Sequence, residues 1–269
     1  MNANIFKFEI RMKLKSALIW SIAVVAVSLI YLGLYPSLAQ EADLFDQALA
    51  NFPPQFLQAF GMQNLNMSTI MGFYSFVFLF IQVLLAIQAS MYGFGLVSVE
   101  EAEFTADFLL SKPVTRTQVL TSKFLAALIA LTVTNAAVWA SSLVFLEMFD
   151  AGRGYDRHAA ILLLSSIVIF QIFFLTAGAA ISLLLKRVRS VTPYAMGLAF
   201  GMYLLGAFSG MLGDVKLELI TPFKHFDPNA IIQNNAWNFS LVAISIAVIV
   251  IAIVISYWRY LHRDIPAVA

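Results

Sequence analysis

Apolar positions along this chain fall into six blocks separated by short polar stretches. The blocks cover approximately 17–36, 70–98, 118–146, 159–185, 191–213 and 238–258. A helix needs about 20 predominantly apolar residues to cross about 30 Å of hydrocarbon. Each block therefore predicts a membrane-spanning helix. The second and third exceed the minimum length, which predicts tilt or protrusion. The expected fold class is all-α: one polytopic membrane domain over residues 1–269 with six transmembrane helices.

The stretches between the blocks carry their own patterns. Before the first block, Phe6, Ile10 and Leu14 repeat every four residues, and Lys7, Arg11 and Lys15 do so on an adjacent face. Glu9 and Lys13 form a favourable i,i+4 pair. This predicts an N-terminal interfacial helix with its cations near anionic headgroups. The apolar run that follows has span length and no small-residue cleavage site, so it reads as an uncleaved first span rather than a signal peptide. Between the first two blocks, PPQFLQAFG (53–61) predicts a short helix, with Pro54 in its first turn and Gly61 as a left-handed cap. TPFKHFDPNAII (221–232) predicts a compact connection before the last block. Thr192 followed by Pro193 predicts a capped start for the fifth helix.

Charge sets the orientation. Lys and Arg number 16. Twelve lie in the N-terminal segment, residues 99–123, residues 186–189 and the C-terminus. Only Arg153, Arg157, Lys216 and Lys224 lie on the opposite side. The positive-inside rule then places both termini in the cytoplasm of a cell-membrane (inner-membrane) protein. An even number of spans requires the same.

Composition narrows the chemistry. Hydrophobic residues make up 61% and charged residues 12% of the chain, and phenylalanine appears 24 times. A net charge of +1 provides no basic field for a nucleic-acid partner. With no cysteine, disulfides, thiolate metal sites and cysteine nucleophiles are excluded. No Gly-x4-Gly-Lys-Ser/Thr loop or His-Glu-x-x-His pattern occurs. Ser209 sits among glycines without an intramembrane base to activate it. The histidines at 158, 225 and 262 are scattered over polar connections and read as solvated. The expectation is a chain without catalysis, metal or nucleotide site of its own.

The least expected stretch is EFTADFLLSKPVTRTQ (103–118). Glu100, Glu103 and Asp107 recur at spacings of three and four and make one acidic stripe, with Glu101 beside it. Phe104 and Phe108 share a neighbouring face. Pro113 stops this helix. Thr115 and Gln118 fit a capping box and Val114 with Val119 a hydrophobic staple, so a new helix starts there. Acidic residues suit an anionic inner leaflet poorly. They suit a cytoplasmic partner with a basic rim, into which the two phenylalanines would insert. Both a lipid-surface helix and a docking helix fit the pattern.

DFLLSKPVTRTQVLTSKFLAAL (107–128) resembles the signature of ABC-transporter permeases of the type-2 exporter family. FPPQFLQAFG, the TPFKHFDP before the last block and the terminal RYLHRDIP (259–266) resemble that family too, with Thr221 where a serine is common. The likeness covers nearly the whole chain. It implies a coupling helix between the second and third spans, docked on a separate ATP-hydrolysing subunit. The coupling residues it implies are Glu100, Glu101, Glu103, Phe104, Asp107, Phe108, Lys112, Pro113 and Arg116. It also implies two ATPase copies carrying ATP and magnesium, and a second permease copy in a homodimer. Its N-terminal helices also brush the ATPase. The implied function is export of a substrate, lipid-like or apolar given the span composition. An alternative is a mechanical transmitter that passes ATPase motion to an external accessory protein.

Within the blocks the polar residues are Gln82, Gln88, Asn135 and Gln171. They read either as interhelical hydrogen-bonding groups or as part of a substrate path. Gly197 with Gly201, and Gly206 with Gly210, form small-xxx-small pairs that permit close helix packing, within the subunit or across a dimer.

Overall fold

The computed structural model describes residues 1–41, 47, 51–53, 56–57, 66–102, 113–150, 152–209 and 216–262, with the main chain alone at 99–102. All regular structure among the described residues is helical. Among the described residues five helices are long and apolar enough to cross a membrane: α1 (Ala3–Leu38), α2 (Ile70–Ala102), α3 (Arg116–Phe149), α4 (Arg157–Leu184) and the last, α8 (Phe239–His262). Between α4 and α8 lie α5 (Val191–Ala207), a short 3-10 turn (Leu217–Leu219), α6 (Pro222–His225) and α7 (Pro228–Asn234).

The interfacial helix and first span expected as two elements form one continuous helix of 36 residues. No glycine or proline interrupts the junction, and the Asn2 side chain caps the start by accepting from the amides of Asn4 and Ile5. The fifth block also differs from its expected extent. Helix α5 has 17 residues, a rise of about 26 Å, against the 23 positions of the apolar block. Its cap is Ser190 rather than Thr192, with Pro193 inside the first turn, and no side-chain hydrogen bond closes it. The helix expected over 53–61 lies mostly outside the described residues.

The compact connection before the last span has a local cause. Thr221 caps α6 and Asp227 caps α7, each through its side-chain oxygen, and each helix has proline in its first turn. These pieces fold inward: Phe223 and Phe226 are buried, and both pack their rings edge-on against Phe170 of α4, with centroids 5.1 and 6.3 Å away.

Helix α1 packs most extensively along α3, and α2 along α4. Helix α5 lies on α2, and α8 lies on α4 with a lesser contact to α3. The α2–α4 contact is close because of two glycines. A Cβ on Gly93 would lie 2.2 Å from the Leu175 carbonyl oxygen, and one on Gly178 would lie 3.1 Å from that of Ser90. Only glycine lets these backbones approach so closely.

Candidate functional site

The segment over residues 103–115 joins the end of α2 to the start of α3. Glu100 and Glu101 belong to the last turn of α2. Glu103, Phe104, Asp107, Phe108 and Lys112 lie outside the described residues. From Pro113 onward the chain is described again. Thr115 is the N-cap of α3, and the capping box with Gln118 is complete: each side chain bonds the other's main-chain amide, at 3.2 and 3.1 Å. The next residue, Arg116, donates from one guanidinium nitrogen to the carbonyls of Tyr260 and Leu261 at 3.0 and 3.3 Å. These carbonyls end α8, where a cation is favoured by the unpaired acceptors and the helix dipole.

One turn further along, α3 is fastened on two sides. Thr121 bonds the Tyr257 hydroxyl of α8 at 2.8 Å, and Phe124 stacks on the same ring at 6.2 Å. Toward α1, the Asn2 amide donates to the Ser122 hydroxyl at 2.9 Å, and that hydroxyl contacts the Asn2 carbonyl at 3.3 Å. Beside them the Lys123 ammonium donates to the Glu9 carboxylate at 2.7 Å. Lys13 meets the other oxygen of Glu9 at 3.5 Å and lies 5.4 Å over the Tyr92 ring. Lys123 is 2% and Glu9 9% exposed, so this ion pair sits inside protein rather than at the surface. Isolated buried charges are strongly disfavoured, and each here supplies the other's partner.

The four polar span residues divide into separate settings. The Gln88 amide donates to Thr134 at 2.8 Å and to Tyr92 at 3.3 Å, and accepts from Gln171 at 3.4 Å. Gln82 lies elsewhere on α2 and donates to the Phe226 carbonyl at 2.8 Å, holding the α6–α7 corner. Asn135 joins neither group, and its buried Oδ1 has no hydrogen-bond partner.

The glycines of α5 are split as well. Nothing lies within 4 Å of a Cβ on Gly197 or Gly201. Both line an apolar groove of about 790 Å³ with Leu198, Met202, Leu205 and Phe208 among its walls. Gly206 instead packs inside the subunit, 3.4 Å from Thr221 and 3.5 Å from Phe223. Gly210 lies outside the described residues.

One buried titratable group lies outside the membrane-spanning helices. His225 of α6 is 2% exposed and its Nδ1 pairs with the Ser245 hydroxyl at 2.6 Å. Burial is the main influence and holds the imidazole below its usual range, against the carbonyls of Leu219 and Glu218, which favour the protonated ring. The fold therefore prefers neutral His225. Its stabilising contribution is present above the unfolded value of about 6.5 and is lost as pH falls through the lower folded value. His225→Gln is expected to flatten this acid-side loss. Thermal unfolding between pH 7 and 5 checks it; identical slopes for variant and parent would refute the assignment.

Residues 3–265 match the sequence profile of the ABC-2 family transporter proteins. The chain belongs to that family. It is accordingly a multi-pass membrane protein and the permease component of an ABC transporter, in a family whose permeases generally pair with an ABC ATPase subunit. A search among curated proteins returns no significant match.

The sequence reading of this ABC-2 permease missed the Glu9–Lys123 pair and the packing of Gly93 against α4. Lys123 counted only as a cytoplasmic cation, although it falls within the third apolar block, near its start, where a buried ionisable group requires a partner. Gly93 follows Ala89, and Gly178 precedes Ser182, at small-xxx-small spacing, but that spacing does not say which helix each will meet.

Proposed function

We propose that this permease couples ATP hydrolysis on two separate ATPase subunits, which hold the ATP and magnesium, to export of a lipid-like or apolar substrate. The elbow over residues 100–116 is the coupling segment. Its acidic stripe and the phenylalanines at 104 and 108 meet the ATPase. The observation that carries this reading is the bracing behind the elbow. Helix α3 begins with a complete capping box and is fastened at its foot to both α1 and α8. A push there reaches three helices without being absorbed by a loose joint.

In this reading the fifth block supplies the sixth span, and both termini face the cytoplasm. The open faces of Gly197 and Gly201 serve the second copy of a homodimer, because no described residue of the same chain covers them. The apolar composition of the spans suits a substrate without charge.

Phe104→Ala combined with Phe108→Ala is expected to weaken ATPase docking by about 2 kcal/mol or more, on the order of 30-fold, as for other buried aromatic anchors. Co-purification of the ATPase subunit with the double variant checks this. Undiminished recovery of that subunit would rule out the elbow as the docking segment.

A further inference from the structure

The helices form two bodies held together in different ways. In the first, α1 lies along α3. Glu9 bonds Lys123 at 2.7 Å, Asn2 and Ser122 bond each other, and Thr134 reaches the Ala17 carbonyl at 3.5 Å. In the second, α2 and α4 meet backbone to backbone at Gly93 and Gly178, and Ser182 adds a bond to the Phe94 carbonyl at 3.1 Å. Close-packed interfaces of this kind transmit strain instead of absorbing it.

The contact between the bodies is of another kind. In its middle stands Gln88 of α2, fully buried. It reaches across to Thr134 of α3 while also contacting Tyr92 and Gln171 of its own body. The Tyr92 hydroxyl in turn contacts the Lys13 carbonyl of α1 at 3.4 Å. Two of these contacts cross between the bodies, Gln88 to Thr134 at 2.8 Å and Tyr92 to Lys13 at 3.4 Å; the other two, at 3.3 and 3.4 Å, lie within the α2–α4 body, and the contacts of 3.3–3.4 Å are at the weak end of hydrogen bonding. Gln171 has a further buried oxygen, Oε1, without a partner. The groups can therefore exchange partners when the helices shift, which a glycine contact or a buried ion pair cannot do. Nearer the outer ends the seam is aromatic, with the Tyr31 ring of α1 stacked on Phe80 of α2 at 5.7 Å. At the cytoplasmic foot α3 is tied to α8 by Arg116 and Thr121.

The elbow is attached to one helix of each body. We infer that α1 and α3 tilt as one rigid unit against α2 and α4. The unit pivots where the foot of α3 meets α8, and it yields along the seam around Gln88 and the Tyr31–Phe80 stack. This inference rests on the proposed docking of the ATPase at the elbow. A push delivered there bears on both bodies at once and is relieved where their contact is weakest.

The test uses the purified complex with its ATPase subunit. The chain has no cysteine, so introduced pairs can be linked selectively with a short, reducible bis-thiosulfonate reagent. Tyr31→Cys with Phe80→Cys bridges the seam. Asn2→Cys with Ser122→Cys stays within one body. ATP hydrolysis is compared for each variant before linking, after linking and after reduction, so each variant is its own control for folding. Linking across the seam is expected to lower the rate several-fold, with recovery on reduction, while linking within the body leaves it unchanged. Full activity with the seam linked would overturn the inference. So would an equal loss with both pairs, because the α1–α3 unit would then not be rigid. Docking is read separately, by whether the ATPase subunit co-purifies before linking, so its failure cannot be mistaken for failure of the seam.

Discussion

Lys123→Ala is expected to cost about 3–5 kcal/mol of stability, the usual consequence of stranding one charge of a buried pair. The ammonium is 2.7 Å from the Glu9 carboxylate, and both residues are buried where α1 crosses the foot of α3. Removing it leaves that carboxylate with Lys13 alone, at 3.5 Å, and water has little access to compensate. The loss should fall mainly on the α1–α3 contact, because the neighbouring Asn2–Ser122 bonds share the same turn. Glu9→Leu combined with Lys123→Met is expected to recover part of the stability, since apolar groups of similar size replace the closest pair while Lys13 loses its carboxylate and keeps only its place over the Tyr92 ring. Thermal unfolding of the purified permease separates the three proteins. A Lys123→Ala variant that unfolds with the parent would show that the pair does not hold these helices together.

Gly93→Ala is expected to cost about 3 kcal/mol, at the upper end of the usual range for overpacking. The added methyl would lie 2.2 Å from the Leu175 carbonyl oxygen and 3.0 Å from both the Leu175 carbonyl carbon and the Ala179 nitrogen. All three are main-chain atoms, so no side-chain rotation relieves the overlap and α2 must move away from α4. Gly197→Ala and Gly201→Ala make a direct comparison, because nothing of this chain lies within 4 Å of either added methyl. Their effect on the isolated subunit should be neutral or favourable, by up to about 1 kcal/mol from helix propensity. Unfolding temperatures of the three variants in detergent check the contrast. Equal behaviour of Gly93→Ala and Gly197→Ala would mean that α2 and α4 do not meet at this glycine.

Much of the architecture was legible because its causes are local. Five of the six apolar blocks appear as helices long enough to span. The capping box at Thr115 and Gln118 formed as its spacing predicts. Proline and a capping side chain at 221–222 and again at 227–228 start the two short helices before α8. In each case the residues that decide the outcome stand within a few positions of one another. The continuity of α1 was less legible. An amphipathic start and an apolar continuation look like two elements, yet the main chain between them carries no residue that would break a helix.

The sequence by itself determined that this chain is built of apolar, span-length helices and where several of them begin. Hydropathy, helix capping and charge asymmetry are properties of neighbouring residues. Only the tertiary structure decided which helices pair. Glu9 meets Lys123 across 114 positions, and Gly93 admits α4 because the backbone of Leu175 arrives there. The groups that complete each contact come from distant parts of the chain, and no local pattern specifies which distant helix will supply them.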